Sequence, residues 1–246
     1  METTFWIITV AVLWGGGTGL LIPRAAYRFS VPPEEPWRTA CPAGHPFDGI
    51  GAGWLGRAHC TDGDTFGPST PAIALVMTMV SAVLATVTGP RPELLVWLLL
   101  APIAVLLATV DFAVHRLPDV VTLPLAAFAL VGLGGAALVP GAGGSWETAL
   151  LGSLTLGTCS FVLFLINPSG FGFGDVKLAP ALGAVLGWYG WGILLIGTFA
   201  GYLLGALYGV GLILARRAGR KSSIPFAPFL VAGALVGILL GSAYSR

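Results

Sequence analysis

Charge is what this sequence has least of. Asp, Glu, Lys and Arg together make up 9% of its 246 residues, 12 basic against 11 acidic. So even and so thin a balance offers no basic surface for a phosphate backbone, and nucleic acid is not an expected partner. Cysteine is scarcer still. Cys41, Cys60 and Cys159 cannot build a disulfide framework, and Cys159 lies inside an apolar run, where it is expected as a small side chain packed between helices. Basic residues are also missing ahead of the first apolar stretch, which follows Met1-Glu2-Thr3-Thr4 directly. Without the positive flank of a cleaved signal peptide, that stretch reads as a retained anchor.

What is present is hydrocarbon. Hydrophobic residues make up 56% of the chain, and they recur in runs of about 20, the length that crosses roughly 30 Å of lipid. The expected fold class is all-α, a polytopic bundle of about eight transmembrane helices in a lipid bilayer. The spans read at 5–22, 71–88, 93–111, 120–139, 146–166, 176–188, 192–215 and 225–243. Residues 1–22 then hold the first transmembrane helix, 23–69 a polar loop region, and 70–246 the main membrane domain. The loop region is rich in Pro, Gly and charge and short of aliphatic side chains, so it is expected to fold poorly alone. Trp188, Tyr189 and Trp191 read as an interfacial aromatic belt.

Eight spans put the loops at 23–69, 112–119, 167–177 and 216–224 on one face. That face collects Arg24, Arg28, Arg38, Arg57, Arg116, Lys177, Arg216, Arg217, Arg220 and Lys221, all of the 12 basic residues except Arg91 and Arg246. Positive charge stays inside, so this face is expected to be cytoplasmic. His115 and Arg116 fit there as determinants of topology. Asp111, Asp119 and Asp175 fall at the same edge. An intramembrane acid costs roughly 2.5–3.5 kcal/mol on insertion scales and needs a reason to be there.

Two acids brought together at a water-accessible edge can share one proton, one serving as base towards water and the other as acid towards a carbonyl. Such aspartyl-protease chemistry uses no metal and no cofactor. Two rival readings remain: a carboxylate relay in a transporter, and plain helix capping at the interface. Asp111 ends an apolar run and is expected on a last helical turn facing the bundle interior. Asp119 follows Pro118 and is expected as an N-cap.

Gly172-Phe173-Gly174-Asp175-Val176-Lys177-Leu178 resembles the GxGDxK signature of the bacterial prepilin peptidases, the type IV leader peptidase family of intramembrane aspartyl proteases. Asp111, with Leu117-Pro118-Asp119 and Thr122-Leu123-Pro124 after it, is similar to that family's first-aspartate segment. Ile224-Pro225-Phe226-Ala227-Pro228-Phe229 resembles its late IPFGPF stretch, with Ala227 where glycine is usual. The resemblance implies an inner-membrane, multi-pass endopeptidase that cuts type IV prepilin or type II secretion pseudopilin precursors at the cytoplasmic face. Asp111 and Asp175 would be its catalytic pair, and Gly172, Gly174 and Lys177 would support them. Lys177 reads either as an electrostatic aid to the acids or as an interfacial lysine reaching the headgroups. A non-enzymatic transporter or assembly scaffold is the alternative.

The departure from the family lies in the first loop. Many members carry two CxxC pairs there, suited to zinc, and an associated activity methylates the new N-terminus with S-adenosylmethionine. Here the corresponding places read Cys41-Pro42-Ala43-Gly44 and Cys60-Thr61-Asp62-Gly63, with one cysteine of each pair missing. His45 and His59 stand at poor zinc spacings from these cysteines. No metal site is therefore expected, and no methyltransferase activity is assigned.

Overall fold

In a computed structural model, residues 2–32, 34–168, 170–217 and 224–245 are described. Arg220, Lys221 and Ser169 lie outside them. The chain divides into two compact units: Met1–Pro90 with Trp97–Arg116, and Arg91–Val96 with Leu117–Arg246. Among the described residues, seven helices are long and apolar enough to cross a membrane, and the protein is a multi-pass, all-α membrane protein.

The first unit holds α1 (Glu2–Phe29), the four-residue α2 (Ile50–Gly53), α3 (Thr70–Thr88), and most of α4 (Glu93–Val114). α1 and α3 pack closely because glycine faces the contact. A Cβ on Gly15 would lie 2.5 Å from the Met77 carbonyl oxygen, and one on Gly19 would lie 2.6 Å from Ala74 Cα. Small residues let helix backbones approach where lipid supplies no hydrophobic drive. The Trp14 indole donates to the Leu98 carbonyl at 2.8 Å, tying α1 to α4. α1 runs on to Phe29, past the expected end of the span near residue 22, with Pro23 inside the helix.

The loop after α1 is built rather than loose. Its few aliphatic residues are replaced by rings: Phe29, Trp37 and Trp54 pack with centroids 4.7–5.4 Å apart. A second set joins Tyr27, Phe47 and Phe66. Three arginines stitch the backbone. Arg24 donates to the Asp48 carbonyl at 2.8 Å, Arg28 to the Arg38 carbonyl at 2.8 Å, and Arg38 to the Tyr27 carbonyl at 2.8 Å. The Arg28 guanidinium also lies 3.8 Å over the Trp54 ring. Aromatic area and cation–π contacts thus do the work that aliphatic side chains were expected to be too few for.

The second unit holds the first turn of α4, then α5 (Asp119–Ala137), α6 (Trp146–Ile166), α7 (Phe173–Gly187), α8 (Trp191–Leu214) and α9 (Ala227–Tyr244). At 15 residues α7 is the short one, and it is the helix the others surround: it contacts α5, α6, α8 and α9. From Leu178 to Gly187 all but Pro180 are buried. Its approach to α6 is backbone to backbone: a Cβ on Gly152 would lie 2.5 Å from the Gly183 carbonyl oxygen, and one on Gly187 would lie 2.5 Å from that of Thr148.

Two expectations fail in this unit. Trp188 is 1% exposed and so does not belong to an interfacial belt; Tyr189 is half-buried and exchanges a 2.7 Å hydrogen bond with Ser242, while Trp191 faces outward. Cys159 is exposed on the outside of α6, not packed between helices. Hydropathy alone does not say which side of an apolar helix faces protein.

Candidate functional site

Asp175 sits in the first turn of the central helix α7. Gly172 is the N-cap, in extended conformation, and the Asp175 amide donates back to its carbonyl at 3.1 Å. The carboxylate folds over the same residue: a Cβ on Gly172 would lie 3.3 Å from Asp175 Oδ2. An acid at a helix start is favoured by the partial positive charge there, and glycine leaves the room it needs. Gly174 faces Leu117, whose side chain a Cβ would meet at 3.4 Å.

Lys177 does something neither sequence reading named. Its Nζ lies 2.6 Å from Asp119 Oδ1 and 4.7 Å from the centre of the Phe173 ring. Asp119 is correspondingly not an N-cap. Pro118 holds that position, Asp119 is the first helical residue, and its carboxylate serves the ion pair. The pair joins the start of α5 to the start of α7.

Behind Asp175 lies a small cavity of about 10 Å³ between α6, α7, α8 and α9, lined by Asp175, Ser160, Thr198, Tyr202 and five apolar side chains. Tyr202 packs between Phe171 of the glycine run and Phe226 of the late Pro-Phe stretch, at 6.4 and 6.2 Å between ring centres. Two motifs distant in sequence thus meet on one ring, which sequence reasoning did not anticipate.

Asp111 belongs to the other unit. It is on the last turn of α4, as expected, and is 7% exposed, buried despite its charge. His115 follows with φ of 51°, accepting the left-handed conformation that ends the helix. Arg116 donates to the Pro32 carbonyl at 3.1 Å.

The first loop holds a further cluster. The same turn is built twice: the Cys41 amide donates to the His45 carbonyl at 2.9 Å and the Cys60 amide to that of Asp64 at 2.7 Å. Each turn needs a left-handed residue, Gly44 with φ of 87° and Gly63 with φ of 97°. The ligand atoms of Cys41, His45 and Cys60 all lie within 4.8 Å of one another. Sequence spacing argued against a metal here because it compared each cysteine only with the histidine beside it; folding supplies the proximity. Zinc bonds of about 2.0–2.3 Å set donor separations near 3.5–4 Å, and Cys41 Sγ stands 3.6 Å from His45 Nδ1. Burial pushes the Cys41 thiol up, but hydrogen bonding from Cys60 and from the backbone of His45 and Ala43 brings it down to about 7. Cys60, sharing that bond with Cys41, is raised. His59 is not part of the cluster.

Residues 98–210 match the model of the type IV leader peptidase family, a stretch that contains both Asp111 and Asp175. Similar proteins include the prepilin leader peptidase/N-methyltransferase of Aeromonas salmonicida (strain A449), 36% identical over 72% of this chain and 60% of that protein. The protein of the same name from Bacillus subtilis (strain 168) is 36% identical over 39% of this chain and 38% of its own length. That from Burkholderia pseudomallei (strain 1026b) is 28% identical over 97% of this chain and 77% of its own. The chain thus spans about 60% of the length of the Aeromonas relatives. No solved structure matches.

Proposed function

Residues 98–210 form a type IV leader peptidase family region, and on that premise we propose that the protein is an aspartic endopeptidase of the inner membrane. Its substrates are prepilin or pseudopilin-like precursors, cut at the cytoplasmic face after the glycine that ends a basic leader. The observation that carries the reading is Asp175: an acid behind a Gly-Phe-Gly run, at the mouth of the one helix that four others enclose. Residues 23–69, the end of α1 and the loop after it, form a cytoplasmic region, and 70–246 form the peptidase membrane domain.

Asp111 and Asp175 share a proton. The ionised acid takes a proton from water, whose oxygen attacks the scissile carbonyl, and the protonated partner donates to the developing oxyanion. Backbone amides of the glycine run are the preorganised donors available near that oxygen, and such donors supply a large share of the stabilisation in acyl transfer. Gly172 and Gly174 keep the approach to Asp175 open for an extended substrate backbone. Lys177 acts through Asp119, holding α5 to α7.

Cys41, His45 and Cys60 would hold a zinc ion in the first loop, where it would cross-link the two turns and supply structure rather than chemistry. Metal analysis of the purified protein tests this: about one zinc per chain is expected, lost in Cys41→Ser with His45→Ala, and a metal-free wild type would refute it. The function itself is tested by co-expressing the chain with a precursor whose basic leader ends in glycine. The precursor should shorten by the length of its leader; an unshortened precursor favours a transporter or scaffold.

A further inference from the structure

Threonines within the helices of this chain share a habit that one of them breaks. Thr9, Thr18, Thr78, Thr86, Thr109 and Thr122 each donate their hydroxyl to the carbonyl four residues back, at 2.7–3.0 Å. Thr198 of α8 does not. Its hydroxyl is buried and has no hydrogen-bond partner among the described residues. A hydroxyl buried in apolar surroundings is costly without a partner, so this one calls for a polar companion.

What Thr198 borders is the small cavity behind Asp175. On α8, Thr198 and Tyr202 stand four residues apart and so face that space together; on α7, Asp175, Ala179 and Leu182 share a face in the same way. Ser160 of α6 joins them, and leucines make up most of the remaining wall. Four residues with polar side chains thus line one space of about 10 Å³, which is room for about one water molecule. A water stays in a core when roughly two to four polar groups hold it, and this wall supplies them. An ionised carboxylate accepts at about four sites, so other bonds to Asp175 do not exclude this one.

We propose that this cavity is a one-water site anchored by the Thr198 hydroxyl, and that its water belongs to the Asp175 site. The ligand is water because the space admits nothing larger, and one carboxylate among hydroxyls and leucines gives no full oxygen shell for a cation. The site itself stands on the cavity and on Thr198. Its part in the reaction rests on the reading of Asp175 as catalytic: the water supports the carboxyl from the interior of the bundle. Thr198 acts through the water and touches no reacting atom, so it is a positioning residue. A displacement of about 1 Å near the chemistry can cost roughly a hundredfold in rate, and losing this indirect support should cost about tenfold in kcat.

The test uses the whole chain in lipid. A high-resolution structure should show a water within hydrogen-bond distance of Thr198 Oγ1; an empty cavity in a map that shows other buried waters overturns the site, whatever the variants do. Thr198→Val keeps the shape and removes the hydroxyl. Were the hydroxyl dry, this change would delete an unpaired polar group and raise the melting temperature. A rise therefore overturns the proposal, and an unchanged or lowered value is expected. With a precursor whose basic leader ends in glycine, kcat of Thr198→Val should fall about tenfold while KM stays within about twofold. Thr198→Ser, which keeps the hydroxyl, should cleave at close to the wild-type rate. An unchanged kcat in Thr198→Val overturns the water's part in the reaction. So does an equal loss in Thr198→Ser, which marks a packing role for the methyl group. Asp175→Asn separates the two levels: if it still cleaves, the function reading falls and takes the water's part in the reaction with it, while the map and the melting temperature alone decide the water site.

Discussion

At the scale of single residues, the acids were legible and their partners were not. An acid at the edge of an apolar run stands out wherever it falls, so Asp111, Asp119 and Asp175 could all be picked from the sequence. Which cation meets which acid is a long-range fact. Lys177 and Asp119 are 58 residues apart, and nothing local to either announces the other. With Asp119 half-exposed, the pair should be worth under about 1 kcal/mol, so it tunes geometry more than it holds the fold. Asp119→Asn and Lys177→Met should lower cleavage to a similar degree, and the double variant should be no worse than either alone. A double-mutant cycle on cleavage rate measures this. Additive losses would mean that Lys177 serves the active site independently of Asp119.

At the scale of elements, the helices were readable to within a few residues, apart from the end of α1 at Phe29, because apolar runs of membrane length leave little else to form. Glycine and proline mark most of their ends, as at Gly89-Pro90 and Asn167-Pro168. The faces of those helices were not readable. Mean apolarity is the same whether a side is turned to lipid or to protein, which is why Trp188 and Cys159 were assigned the wrong surroundings. Glycine is the exception, since its value at a contact is the absence of a side chain. In the structure Gly183 of α7 meets the Gly152 carbonyl of α6 directly, while Gly211 of α8 meets nothing within 4 Å. Gly183→Ala should therefore destabilise the protein by about 1–3 kcal/mol through overpacking, and Gly211→Ala should be neutral or stabilise by up to roughly 1 kcal/mol through helix propensity. Thermal melting of the two variants in the same detergent checks the contrast. Equal effects would mean that α6 and α7 do not pack on their backbones.

At the scale of the whole molecule, fold class and membrane character followed from composition, and the resemblance to a family rested on three motifs in order. The first loop escaped that reading. Its stability comes from rings and guanidinium groups scattered between Arg24 and Phe66, and its metal-competent cluster from two turns 19 residues apart. Neither has a periodic signature. What unites the molecule's parts is the claim that Asp111 and Asp175 together cleave a peptide bond, and one measurement bears on it directly. Asp111→Asn, Asp175→Asn and Asp119→Asn, at matched membrane levels, are each assayed for shortening of a precursor with a basic leader ending in glycine. Asp111→Asn and Asp175→Asn should each abolish cleavage, since either leaves the shared proton without one of its two carboxylates, and Asp119→Asn should retain substantial activity. Cleavage by Asp111→Asn or by Asp175→Asn at the wild-type rate would contradict the account.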